Sequence, residues 1–157
     1  MSQILITDKE EKDAEERTNF VKSVYFDINK DTIPISNYND RLSFHEVRRD
    51  NDIPAANDAV LLSAVRCLLI GSGEYNGLMD KSGTVIRDVY GVENKHYMLC
   101  SGNSSNGTGG MEAKLKAAEI CNAKGIDMII GSVNFGFLDH LERRVENTYF
   151  HANPKTL

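Results

Sequence analysis

Two short apolar runs limit what this chain can fold into. Cys67-Leu68-Leu69-Ile70 ends at Gly71, and Ile126-Asp127-Met128-Ile129-Ile130 ends at Gly131. Each reads as a strand covered on both faces, as in a parallel sheet. Each follows a stretch with helical spacing. Before the first run, Ala56, Val60, Ala64 and Cys67 share one face, with Leu61 and Val65 beside it. Pro54 suits the first position of that helix. Before the second run, Met111, Leu115, Ala118 and Cys121 form one stripe. That helix starts near Gly110 or Met111, and Lys124-Gly125 is a good ending. Helix then strand, twice over, predicts an α/β fold: a three-layer αβα sandwich with a mainly parallel sheet.

The rest of the chain is read more coarsely. Residues 1 to about 8 are expected to be a frayed or short leading segment. From Glu10 to Ile28, Ala14, Thr18, Val21, Tyr25 and Ile28 recur at helical spacing. Thr32–Ser36 reads as a short strand with Pro34 near its end. Asn37–Asp40 reads as a turn and Leu42–Val47 as an alternating strand. Arg48–Asp52 is a polar loop, and residues 71–84 are mostly loop. Residues 85–106 carry no readable period. A helix-like piece spans Phe135–Val145, and the tail is expected to be loose from His151. With no internal repeat and no linker, residues 1–157 read as one partial domain, with 1–9 and 151–157 as loose ends.

Composition excludes several function classes. The net charge is −5 with no basic stripe, which argues against nucleic acid as the partner. No apolar run has the length of a membrane span. The N-terminus has neither a basic lead nor a long apolar region, so no signal peptide is expected. Cys67, Cys100 and Cys121 are odd in number and widely spaced, which predicts free thiols in a reducing cytoplasm. The two glycosylation sequons at Asn103 and Asn106 are then chance matches. His45, His96, His140 and His151 are scattered without metal-ligand spacing.

The chemistry concentrates in Gly107-Thr108-Gly109-Gly110-Met111-Glu112-Ala113-Lys114-Leu115. Glycines let a backbone approach a phosphate closely. A helix start presents unpaired N–H groups to an anion, and Lys114 adds a full charge one turn in. A nucleotide phosphate site is one reading. A glycine loop followed by a surface lysine is the other.

The run resembles the G-T-G-G-M-x-T-K-L-x-A-A signature of glutamate 5-kinases in the amino-acid kinase family, with Ala113 in place of threonine and Ala117 and Ala118 matching. Ile33-Pro34-Ile35-Ser36-Asn37-Tyr38-Asn39-Asp40 resembles the family's I-P-I-I-N-E-N-D. Asp50-Asn51-Asp52 resembles its G-D-N-D loop. Leu68-Leu69-Ile70, followed by Asn76-Gly77-Leu78, resembles its strand and D-G-L turn. Asn147-Thr148-Tyr149-Phe150 resembles its closing G-T-x-F. There are departures. Gly73-Glu74 stands where the family has T-D, Asn76 replaces an aspartate, and Tyr38 and Arg41 replace glutamate and threonine.

The resemblance implies the C-terminal, nucleotide-binding half of an amino-acid kinase fold. The family's opening strand, first lysine and first glycine turn have no counterpart here, so the chain on its own is expected to be inactive. It implies ATP-dependent phosphorylation of the glutamate side-chain carboxylate in proline biosynthesis, with Mg²⁺ held mainly through ATP. Gly107, Thr108, Gly109, Gly110, Met111 and Lys114, with Glu74 and Asn76, would bind the nucleotide. Asn37, Asn39, Asp40, Asp50, Asn51 and Asp52 would bind the amino acid. The resemblance singles out no catalytic group. The alternative is a noncatalytic, degenerate kinase half that binds nucleotide or a partner chain. A sheet cut at this point has an open apolar edge, which predicts a homo-oligomer or a complementing first-half subunit.

Overall fold

The computed structural model describes residues 1–6, 13–38, 51–71, 76–100 and 110–152. They fall into two compact units, Met1–Arg48 and Arg49–Leu157.

The first unit holds β1 (Ser2–Ile6), α1 (Ala14–Ile28) and β2 (Pro34–Tyr38). β1 and β2 pair in parallel, with Ser2 opposite Pro34 and Ile6 opposite Tyr38. Asp13 starts α1: its carboxylate accepts the Glu15 amide at 2.7 Å. That satisfies an orphan donor and places negative charge at the positive end of the helix. Phe20 and Val24, one turn apart, are its buried side chains. Two expectations shift here. Residues 2–6, read as a frayed lead, form a strand, because Ile4-Leu5-Ile6 is an apolar run with high β propensity. β2 begins at Pro34 and runs through Asn37 and Tyr38, which were read as a turn. Proline at a strand's first position forfeits no internal ladder bond. The expected strand over Leu42–Val47 lies outside the described residues.

The second unit holds α2 (Asp52–Leu61), β3 (Arg66–Gly71), β4 (Asp88–Val89), α3 (Asn94–Tyr97), α4 (Met111–Asn122), β5 (Asp127–Ser132), α5 (Phe137–Leu141) and β6 (Thr148–Phe150). Its sheet runs β3-β5-β6-β4. β3 pairs in parallel with β5 and β4 with β6, while β5 and β6 are antiparallel. Cys67, Leu69, Met128 and Ile130 share one core with Ala56 and Ala59 of α2 and Leu115, Ala117, Ala118 and Cys121 of α4. Small alanines let the two helices close on each other, and fully burying a side chain such as Leu115 is worth about 2 kcal/mol. Gly131 points to the opposite face. A Cβ there would lie 2.5 Å from the His140 ring of α5. Helices therefore cover both faces of the sheet at β5.

α4 ends as its sequence predicts: Gly125 takes φ 73°, and the Ile126 amide bonds back to Cys121. α5 is shorter than the expected Phe135–Val145. Arg143 adopts φ 58°, which stops the helix, and the Asn147 side chain caps its end by donating to the His140 carbonyl at 3.0 Å. The chain then forms β6. His151 and Ala152, expected to be loose, are held by bonds to Val89 and Asp127. Strand pairing is mainly parallel, and the architecture is mixed α/β.

Candidate functional site

The carboxyl ends of β3 and β5 are Gly71 and Ser132. In open α/β sheets this is the edge that receives ligands. α4 starts at the same edge. Its N-cap is Gly110, at φ −73° and ψ −176°, which brings no capping side chain to the helix end. The orphan N–H groups of the first turn are thus not screened by their own cap residue. Lys114 follows one turn later. Its stem runs beside Gly71, where a Cβ would lie 3.9 Å from the lysine Cε.

Lys114 Nζ donates to Asp52 Oδ2 at 2.6 Å. Asp52 occupies the first turn of α2, where the helix dipole favours a carboxylate. The two side chains are only 14% and 13% exposed. A pair this dry costs desolvation energy on both sides, and removing one partner strands the other. An ammonium has three donors, so Lys114 can keep Asp52 and still reach a second anion.

This contact brings together one residue from the predicted nucleotide set and one from the predicted amino-acid set, 62 positions apart. Asn51 sits beside Asp52 as the N-cap of α2. Met111 is half-buried and packs against the core. Asn76 donates its side-chain amide to Glu146 at 3.2 Å, a partner that sequence reasoning missed because the two are 70 residues apart. Asn37 lies in β2 of the first unit. Glu74, Gly107, Thr108, Gly109, Asn39, Asp40 and Asp50 lie outside the described residues.

Two of the sequence motifs prove to be one joint. Thr148, from the closing motif, accepts the Leu78 amide at 2.8 Å. A Cβ at Gly77 would lie 2.5 Å from the Thr148 hydroxyl and 2.9 Å from its backbone nitrogen. Glycine at 77 is therefore required by close approach.

A second polar cluster lies at the amino ends of β3 and β5. Arg143 grips Asp88 with two bonds, at 2.8 and 3.0 Å, and His151 reaches the same carboxylate at 2.7 Å. The guanidinium, then His151, holds the Asp88 carboxyl down at about 2. Tyr90 stacks on the His151 ring at 4.2 Å, and the Tyr149 hydroxyl donates to Asp127 at 2.5 Å. The other described histidines have structural partners. His96 closes a capping box with Glu93, and His140 is buried with Nε2 2.8 Å from the Ser132 carbonyl.

Known proteins resemble this chain. The glutamate 5-kinase 2 of Pseudoalteromonas translucida (strain TAC 125) is 33% identical over 138 residues, covering 83% of this chain and 37% of that protein. The glutamate 5-kinases of Salmonella arizonae and Escherichia coli O1:K1 / APEC are 32% and 31% identical, each match covering 100% of this chain and 45% of the relative. The chain is similar to glutamate 5-kinases. It spans less than half the length of these relatives. Among solved structures, UMP kinase from Ureaplasma parvum matches with a TM-score of 0.58 at 14% identity, over 96% of this chain and 60% of that one. The mixed α/β architecture with mainly parallel strands therefore matches the amino-acid kinase fold of that UMP kinase. No family model matches the chain. Among the described residues, no helix is long and apolar enough to cross a membrane.

Proposed function

We propose that this chain is the nucleotide-binding part of a carboxylate kinase of the glutamate 5-kinase type. The observation that carries the reading is the Lys114–Asp52 pair, at a helix start on the carboxyl edge of parallel strands. The likeness to glutamate 5-kinases supports it.

A carboxylate nucleophile is already ionised at neutral pH and needs no base. The site must instead screen the repulsion between carboxylate and polyphosphate and hold them in line. On this reading Lys114 and the Gly107–Gly110 backbone hold the phosphates. Asp52 keeps the ammonium aimed, and the resemblance assigns Asn37, Asn39, Asp40, Asp50, Asn51 and Asp52 to glutamate. Mg²⁺ fits as an ion brought in with ATP. Mg²⁺ is ordinarily held by phosphates and water.

Titration calorimetry with Mg-ATP tests the reading. The chain is expected to bind Mg-ATP, and Lys114→Ala to weaken it by at least ~10-fold, as fits the loss of a charge-assisted bond. Binding that is absent, or unchanged in Lys114→Ala, would remove the kinase assignment. Turnover is a separate question, read by trapping an acyl phosphate with hydroxylamine.

A further inference from the structure

Residues 133–138, which follow β5 and open α5, all face solvent. Val133, Phe135, Phe137 and Leu138 among them are large and apolar, and Phe137 is 61% exposed. Ile70 joins them. It stands opposite Gly131 at the carboxyl end of β3, is itself exposed, and so lies on the sheet face that α5 covers. Single apolar side chains on a surface are ordinary, whereas a contiguous patch marks a place where something binds.

The segment is also pinned. The Val133 amide donates to the Gly71 carbonyl at 3.0 Å, and the Asn134 amide to the Ser132 hydroxyl at 3.2 Å. The Ser132 carbonyl accepts the Phe135 amide at 3.4 Å and lies 2.8 Å from Nε2 of the buried His140. The Phe135 ring meets that histidine edge-on, with 5.9 Å between centroids. An apolar surface held open in this way needs little further ordering when a ligand lands on it. Gly71 links it to the cation. The Lys114 stem passes one face of Gly71, and the Gly71 carbonyl holds Val133. A charge for an anion and an apolar shelf thus meet at one residue of the carboxyl edge.

We propose that residues 133–138, with Ile70, form the shelf on which the base of a nucleoside triphosphate stacks. This rests on the nucleotide-binding reading above and adds which residues take the base. Ligands of open α/β sheets lie across the crevice at the carboxyl ends of the strands. Phosphates at Lys114 therefore leave the nucleoside to extend over that edge toward the shelf. A base has a flat π face that stacks on aromatic rings, and the segment supplies two, Phe135 and Phe137. Glutamate has no flat apolar group to place there.

The test is titration calorimetry on the full chain with two probes: Mg-ATP, and magnesium tripolyphosphate, which has the phosphates and no base. Mg-ATP is expected to bind more tightly than tripolyphosphate by at least ~5-fold, as fits one stacked base. Phe137→Ser should remove most of that advantage and leave tripolyphosphate affinity unchanged. Leu138→Ser, a second exposed position, should act in the same direction and decides the matter if Phe137→Ser does not fold. Lys114→Ala should weaken both probes. Mg-ATP affinity unchanged in both serine variants, with Lys114→Ala still weakening both probes, would overturn the shelf and leave the kinase reading standing. An equal loss for both probes in the serine variants would also overturn it, since the segment would then act on the fold and not on the base. A wild-type dimer that Phe137→Ser dissociates, with Mg-ATP affinity unchanged, would make the patch a contact between copies instead. No Mg-ATP binding by the wild type would remove the shelf and the kinase reading together.

Discussion

The two charged clusters of the second unit solve different problems. At the amino ends of β3 and β5, Asp88 is held by Arg143 and His151 together, the ring of His151 is stacked on Tyr90, and all of these groups are partly exposed. Each contact there is backed by another. At the carboxyl ends, Lys114 and Asp52 meet nearly dry, beside Gly71 and a helix start whose cap has no side chain. Redundant, wet charges hold a fold cheaply. A dry pair with an ammonium still able to donate costs stability and is worth keeping where the charge has a task. The contrast teaches that burial and redundancy, more than the number of ion pairs, separate the candidate site from the scaffold.

Mutation can break that contrast. The largest effect is expected from Lys114→Ala, which takes the ammonium from the nearly dry Asp52 carboxylate: about 3 kcal/mol of unfolding free energy in urea. Lys114→Met combined with Asp52→Asn should cost markedly less than the two single changes added, because the two charges are then removed together. Additive costs would mean that the pair is not coupled.

Asp88→Asn should cost less, below about 1 kcal/mol, since its side chains are a third exposed and screened. Its sign with pH is fixed. The folded carboxyl is depressed to about 2, so its contribution is complete above the ordinary carboxylate range and is lost as pH falls through about 2. Acid unfolding curves of wild type and Asp88→Asn should therefore converge between about pH 4 and pH 2. Curves that stay parallel would separate Asp88 from the stability of this end.

Arg143→Gly should be close to neutral. It loses the bond to Asp88 but relieves a left-handed conformation worth about 1–2 kcal/mol in a non-glycine residue. A cost as large as that of Lys114→Ala would erase the distinction between the two clusters.

Much of the fold was legible because the physics behind it is local. β3, β5 and α4 came from apolar runs and one stripe, and the end of α4 from Lys124-Gly125. β6 was missed as a strand because three residues carry no period, and β4 has only two. The end of α5 was misjudged because Arg143, not a glycine, takes the positive φ. Lys114 and Asp52 were each singled out from the sequence as site residues. Their contact was not, because partners 62 positions apart leave no periodic trace.

The bond from the Leu78 amide to Thr148 spans 70 residues. A nascent chain that has exposed Leu78 must therefore wait for nearly all of the described second unit to be translated before its N-G-L turn can settle. A premature stop codon between Ser132 and Thr148 would release a product whose β3, α4 and β5 are all encoded but whose turn has no hydroxyl to lock it.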